Sequence, residues 1–183
     1  EYTVTREAGE NVGEYPITAA GAANQGNYEV SYVGGAFTIT AGARPEGKEI
    51  TVTSYSGVYD AEEHSILVNN TVAGDTVEYS YDGGEGWEDE LRTYTDVTAE
   101  PVEIKVRVTN ANYGEPVELT GTVTITPKAV TVTANDNGKT YGADDPVLTA
   151  TVTGTLNEDT VEYTVTREAG ENVGEYPITA AGA

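Results

Sequence analysis

The sequence contains no cysteine and no methionine, and only one tryptophan, one phenylalanine and one histidine. Without cysteine there is no disulfide, no thiolate metal site and no cysteine nucleophile. Without methionine the chain also lacks the side chain that oxidises most readily after cysteine, and both absences suit an extracellular protein. Basic residues are scarce, 9 against 31 acidic ones, for a formal charge of −22. Gripping phosphate backbones needs clustered cations, and an anionic bilayer repels such a chain. The balance therefore argues against nucleic acid and against membrane surfaces. No apolar run approaches the roughly 20 residues of a membrane helix, so no membrane insertion is expected in this segment. No signal peptide opens the chain, so export is not read from it. The carboxylates read first as solubility and mutual repulsion, with calcium or a cationic partner as alternatives.

What is present is a repeat. Residues 1–22 and 162–183 share the same twenty-two letters, EYTVTREAGENVGEYPITAAGA. Identity at an offset of 161 marks a tandem array, of which the 183 residues hold one period and an overlap. Thr, Val and Tyr recur between glycines, which is a β signature.

Period-2 alternation implies strands with one buried and one solvated face. Tyr2-Thr-Val4-Thr alternates, and Glu10–Gly13 turns the chain into Tyr15-Pro16-Ile17. Asn24–Asn27 reads as a loop, Tyr28–Tyr32 as a strand, and Phe37 and Ile39 share a face. Residues 42–48 lack periodicity and read as a linker. In residues 49–127, Val77, Tyr79 and Tyr81 alternate with Thr76, Glu78 and Ser80, and Ile104, Val106 and Val108 with Lys105 and Arg107. Asp82-Gly83-Gly84 supplies the positive φ of a tight hairpin. Residues 128–183 begin a further module and stop at the letters where residue 22 stops. No stretch supports a helix.

A weaker similarity lies beneath the exact one. Tyr59-Asp60-Ala61 with Asp75–Tyr79 matches Tyr141-Gly142-Ala143 with Asp159–Tyr163, and Asn112-Tyr113 with Thr124–Thr126 matches Asn27-Tyr28 with Thr38–Thr40. Each period thus holds two divergent copies of one unit: residues 49–127, and residues 129–183 continued by the equivalents of 23–41. At Lys139–Gly142, Asp145-Pro146, Arg167–Tyr176 and Phe37–Thr40 the chain resembles the MBG repeats of large bacterial surface adhesins. At Val58-Tyr59-Asp60, Glu63-His64, Tyr81–Gly84 and Trp87 it resembles their YDG relatives, with Ala61 where that name motif has glycine. The resemblance implies an all-β fold of tandem small modules, β-grasp-like or immunoglobulin-like, in an elongated extracellular array. The expected role is a non-catalytic stalk or filament at the bacterial cell surface that projects or connects cells. A module recognising a glycan or host protein is the alternative.

Few residues invite chemistry. His64 lacks a second imidazole or a nucleophile at a telling spacing, so an exposed loop histidine is expected. The acidic stretch with Asp82, Glu85 and Trp87 could seat calcium or stack a sugar, but it lacks the ligand spacing of an EF-hand. A hairpin tip with Trp87 folded back on its module is favoured. Asp144 and Asp145 are weaker calcium candidates, and a plain turn into Pro146 is favoured there. Of the lysines that might crosslink to asparagine, Lys105 points outward and Lys128 at a strand start is the better candidate. Carboxylate pairs mean nothing among so many. The terminal half-modules bury too little surface to order themselves, so neighbouring repeats are the expected partners, including head-to-tail self-association into fibres.

Overall fold

The computed structural model describes every residue, Glu1–Ala183, and strand follows strand with no helix. β1 (Tyr2–Arg6) and β2 (Gly13–Gly21) form an antiparallel hairpin running from Tyr2↔Gly21 to Arg6↔Ile17. β3 (Asn24–Gln25) and β4 (Tyr28–Glu29) pair across Gly26, whose φ of +61° glycine adopts without cost. The strand expected over residues 28–32 is therefore only two residues long. Tyr32 does not extend the ladder: its hydroxyl accepts from Gln25 Nε2 at 2.6 Å and donates to the Ala22 carbonyl at 3.2 Å. β5 (Gly35–Ile39) then pairs antiparallel with β2, Tyr15 opposite Phe37, giving a sheet in the order β1-β2-β5.

The middle of the chain holds β6 (Thr51–Thr53), β7 (Tyr55–Val58), β8 (Leu67–Asn69), β9 (Thr76–Ser80), β10 (Val102–Thr109) and β11 (Val117–Thr126). β6 pairs antiparallel with β8, Val52 opposite Val68. The other four follow the order β7-β11-β10-β9, with β9–β10 antiparallel and β7–β11 parallel. That parallel pair departs from the purely antiparallel sheets of an immunoglobulin sandwich. Asp82-Gly83-Gly84 does not close a tight hairpin as the sequence suggests. The chain returns only at Glu88, which exchanges both backbone hydrogen bonds with Tyr79 at 2.8 Å. The last stretch holds β12 (Thr131–Ala134) paired with β13 (Ala150–Thr153), and β14 (Tyr163–Arg167) paired with β15 (Ile178–Gly182).

The chain divides into two compact units. The first comprises Glu1–Ser54, Ser65–Arg92 and Glu103–Thr122. Its core is Ile104, Val106 and Val108 from one face of β10, with Ile50 and Ile66. Gly121 is the close approach that admits them, because a Cβ there would lie 2.5 Å from Val52 Cγ1 and 2.8 Å from Ile66 Cγ2. The second unit comprises Tyr55–His64, Thr93–Val102 and Val123–Ala183. Val123 and Ile125 are buried there, and Ile125 exchanges hydrogen bonds with Thr98.

The repeated letters fold twice into one hairpin. β14–β15 has the register of β1–β2 displaced by 161, from Tyr163↔Gly182 to Arg167↔Ile178. Their surroundings differ in complementary ways. The first copy carries β5 on the edge of β2, but Tyr2 and Val4 are exposed. In the second copy β12 packs beside β15, and Tyr163 and Val165 are half-buried, but no strand lies along residues 174–177. Strand geometry accordingly runs from Gly13 in the first copy and only from Ile178 in the second.

Candidate functional site

The loop around Trp87 is built from the end of β9. Ser80 is fully buried; its Oγ donates to Asp82 Oδ1 at 2.7 Å and accepts the Gly84 amide at 2.8 Å. Asp82 Oδ1 also accepts the amides of Gly86 (2.9 Å) and Glu85 (3.0 Å). The Gly86 amide first, then Ser80, holds the Asp82 carboxyl below the usual carboxylate range. Trp87 is half-buried, with the Arg107 guanidinium 4.2 Å from its ring, and Arg107 pairs with Glu78 at 2.9 Å. Lys105 Nζ donates to the Gly83 carbonyl at 2.7 Å. The outward cations of β10 thus bind their own loop, which is why Ser80 is buried on a face that alternation leaves to solvent. No three His, Asp or Glu side chains converge in a metal-binding geometry; Asp82 organises backbone and Glu85 is exposed. Asp82→Ala is expected to red-shift Trp87 emission and unprotect the Glu85 and Gly86 amides in hydrogen exchange, identically with calcium and with chelator.

His64 is half-buried, not exposed. The Tyr55 ring stacks on it at 3.9 Å, Asp60 Oδ1 lies 2.9 Å from its Nε2, and its backbone pairs with Tyr94. A loop with this much backbone pairing is a built corner, and alternation carries no trace of it. Ala61 beside it has a φ of +66°, a left-handed conformation that a Cβ disfavours. Ala61→Gly is expected to raise stability by about 1 kcal/mol, measured by urea unfolding.

Asp144 and Asp145 are both exposed, but Asp145 belongs to a cluster of four charges. Arg167 forks it with two 2.9 Å bonds, and Lys139 Nζ lies 2.6 Å from Asp145 and 2.7 Å from Glu171. Glu171 also takes Arg167 at 2.8 Å. Both Asp145 oxygens already face cations, which leaves little for calcium. Arg167, then Lys139, brings the Asp145 carboxyl down to about 2. Its folded pKa is depressed, so the linkage is fully present above 3.8 and fades as pH falls toward about 2. A carboxyl titration by NMR is expected to place the Asp145 midpoint well below the ordinary aspartate value of 3.8. The cluster borders an open cleft of about 1060 Å³ whose walls include Leu148, Tyr176 and Ile178.

Sequence reasoning missed the contacts that tie segments together. Arg44, in the stretch read as a linker, forks Asp75 at 2.6 and 3.0 Å, with side chains 13% and 2% exposed. Asn110 Nδ2 reaches the same carboxylate at 2.9 Å. Asn112 Oδ1 accepts the Val12 amide at 2.9 Å, its Nδ2 donates to Asn11 at 3.1 Å, and its carbonyl accepts the Gly42 amide. Val12 is 37% exposed in this contact, and its copy Val173 is 92% exposed. The signal was an arginine and two asparagines in unpatterned stretches, which periodicity does not read. Tyr59 similarly donates to Asp159 at 3.4 Å in the second unit. Lys128 is exposed.

Strand modules, an exact internal repeat and side chains spent on their own loops define an all-β tandem-repeat protein. The family model of the MBG domain, YGX type, matches residues 1–38 and 130–183, just over half of the chain. The chain belongs to that family, a non-enzymatic repeat family of surface-associated proteins. Comparison with curated proteins and with solved structures gives no match.

Proposed function

We propose that the chain is a structural repeat of a bacterial extracellular adhesin, forming a stalk that projects or connects cells. Its modules are the YDG-like residues 49–127 and an MBG-like module made of residues 129–183 and the equivalents of 23–41. One observation carries the reading: the same twenty-two residues fold into the same hairpin twice, 161 residues apart, each copy in a partial module that the other's surroundings would complete. The pairing of the central module suits load. β7 lies near its start and β11 at its end, and the two run parallel. Tension on the flanking chain pulls such strands past one another, loading their hydrogen bonds together, whereas a hairpin opens one bond at a time. The anchored residues Arg44 and Asn112 favour fixed joints between neighbouring modules, and the formal charge of −22 keeps adjacent stalks apart.

Small-angle scattering with sedimentation tests the reading on the 183-residue chain and on a chain lengthened by one period. A rod whose length roughly doubles is expected. Compact or freely jointed particles would remove the stalk. Glycan or host-protein recognition through Trp87 gains no support from the loop, since Arg107 stacks on the indole.

A further inference from the structure

We propose that Asn137 is a self-modification site, where the Gly138 amide nitrogen displaces the side-chain amide and leaves an aspartyl or isoaspartyl residue. This covalent change goes beyond the stalk reading and does not depend on it.

Asn137 is the one asparagine in the chain that glycine follows. Ring closure onto an asparagine side chain needs the next amide nitrogen to swing over the side-chain carbon, and a Cβ on that next residue obstructs the swing. Position 138 has no Cβ and open space around it, since a Cβ built there would meet nothing within 4 Å. Asn137 is exposed and outside any strand, so water reaches it. Its side chain is already folded toward the attack: Gly138 N lies 2.8 Å from Asn137 Oδ1, and the carbon to be attacked is bonded to that oxygen. The group to be expelled, Nδ2, donates to the Val147 carbonyl at 3.2 Å instead. The loop that holds this geometry spans two paired strands, β12 and β13. Asn135 ties its ends together, its amide donating to the Thr149 carbonyl at 2.9 Å and its Oδ1 accepting from Thr151 Oγ1 at 2.8 Å. Every partner named here lies between Asn135 and Thr151, so none of these contacts waits on later chain.

In the reaction, hydroxide takes the Gly138 N–H proton and the nitrogen bonds to Asn137 Cγ. The Cγ–Nδ2 bond then breaks, and Nδ2 leaves as ammonia with a proton returned from water. One water opens the resulting succinimide. Cleavage of its Cγ–N bond gives aspartate in the original backbone. Cleavage between the backbone carbonyl carbon and that nitrogen gives isoaspartate, with the backbone running through Cγ. One water is consumed and one ammonia released, with no oxidant or reductant. Both products lose the Nδ2 donor to Val147 and add a negative charge beside Asp136. Asp82-Gly83 is the internal contrast, because aspartate can close the same ring with loss of water. There Ser80 Oγ and the amides of Glu85 and Gly86 fix the side-chain oxygen, and an ionised carboxylate resists attack.

The test incubates the folded 183-residue chain at mildly alkaline pH and follows it by tryptic mass mapping, in which Asn137 falls in the peptide of residues 129–139. A mass gain of about 1 Da is expected in that peptide, with a separately eluting isoaspartyl form and no isoaspartate at Asp82. Gly138→Ala is expected to slow the change at least about tenfold while leaving the urea midpoint in place, as the open space around position 138 predicts. In a chain lengthened by one period, both copies of the site are expected to convert at the same rate. An unchanged mass in the folded chain while a free peptide of residues 129–139 converts would overturn the site. So would equal rates with Gly138→Ala, or conversion confined to the last copy of the lengthened chain.

Discussion

Replacing Ile104 by alanine is expected to remove about 3 kcal/mol of stability, the range for truncating a large aliphatic side chain in a core. Ile104 is fully buried at the centre of β10, and Val106 and Val108 beside it are as enclosed. In so small a core the void cannot be filled by neighbours without moving Val52 or Ile66, which already press on Gly121. Val4→Ala is the control. Val4 sits at an alternating strand position like Ile104, but it is 57% exposed and its truncation is expected to cost less than about 0.5 kcal/mol. Urea unfolding of both variants would show the difference as a shift in midpoint at constant slope. Equal effects would mean that the first sheet is covered in solution.

The second large effect is expected at a residue outside any strand. Arg44→Ala leaves the Asp75 carboxylate, 2% exposed, with only the Val72 amide and Asn110, and is expected to cost about 3 kcal/mol as a broken buried ion pair. Burial by itself would raise the Asp75 pKa. The hydrogen bonds from Arg44, with those from Val72 and Asn110, overcome it and hold the carboxyl below 3.8. Because the folded pKa is depressed, this stability is present above 3.8 and is lost as pH falls through the folded value. The unaltered chain should therefore weaken below about pH 4 more steeply than Arg44→Ala. Adding Asp75→Asn to Arg44→Ala should recover at least about 1 kcal/mol, since no charge is then buried alone. Absence of recovery would locate the cost in the lost stacking of Arg44 on Tyr113, 5.2 Å from the ring centroid.

These two residues also mark how far the sequence could be read. Ile104, Val106 and Val108 were legible because strand periodicity states which side chains share a face, whereas the strand orders β1-β2-β5 and β7-β11-β10-β9 were not, because pairing partners carry no local pattern. The all-β class was legible for the same reason, and the MBG resemblance rested on motifs such as Lys139–Gly142 and Arg167–Tyr176. Arg44–Asp75 and the Asn112 contacts were not, because they join segments far apart in sequence through single side chains with no period. Ser80 shows the limit from the other side. Alternation places it on the outer face, beside Glu78, but a loop returning over that face buries it, and local pattern does not reveal what later chain will cover. His64 was misread in the same way, since its neighbours Tyr55 and Tyr94 come from other strands and loops. The tight hairpin expected at Asp82-Gly83-Gly84 became a broad loop because Asp82 and Ser80 gather its amides, chemistry that the positive-φ glycines alone do not signal.

The parallel joining of β7 to β11 has a further consequence, for the order of events during synthesis. Gly57 and Thr126, which it brings together, are 69 residues apart. Hairpins such as β1–β2 can form as soon as their few residues have left the ribosome, because closing a short loop is fast. β7 must wait for nearly its whole module before its partner arrives, and contacts at that separation are the slow step of β folding. The central module therefore completes its sheet order β7-β11-β10-β9 only when its last strand arrives. Its assembly proceeds as a relay, in which local pairings are sealed while the parallel pair still waits for its second strand.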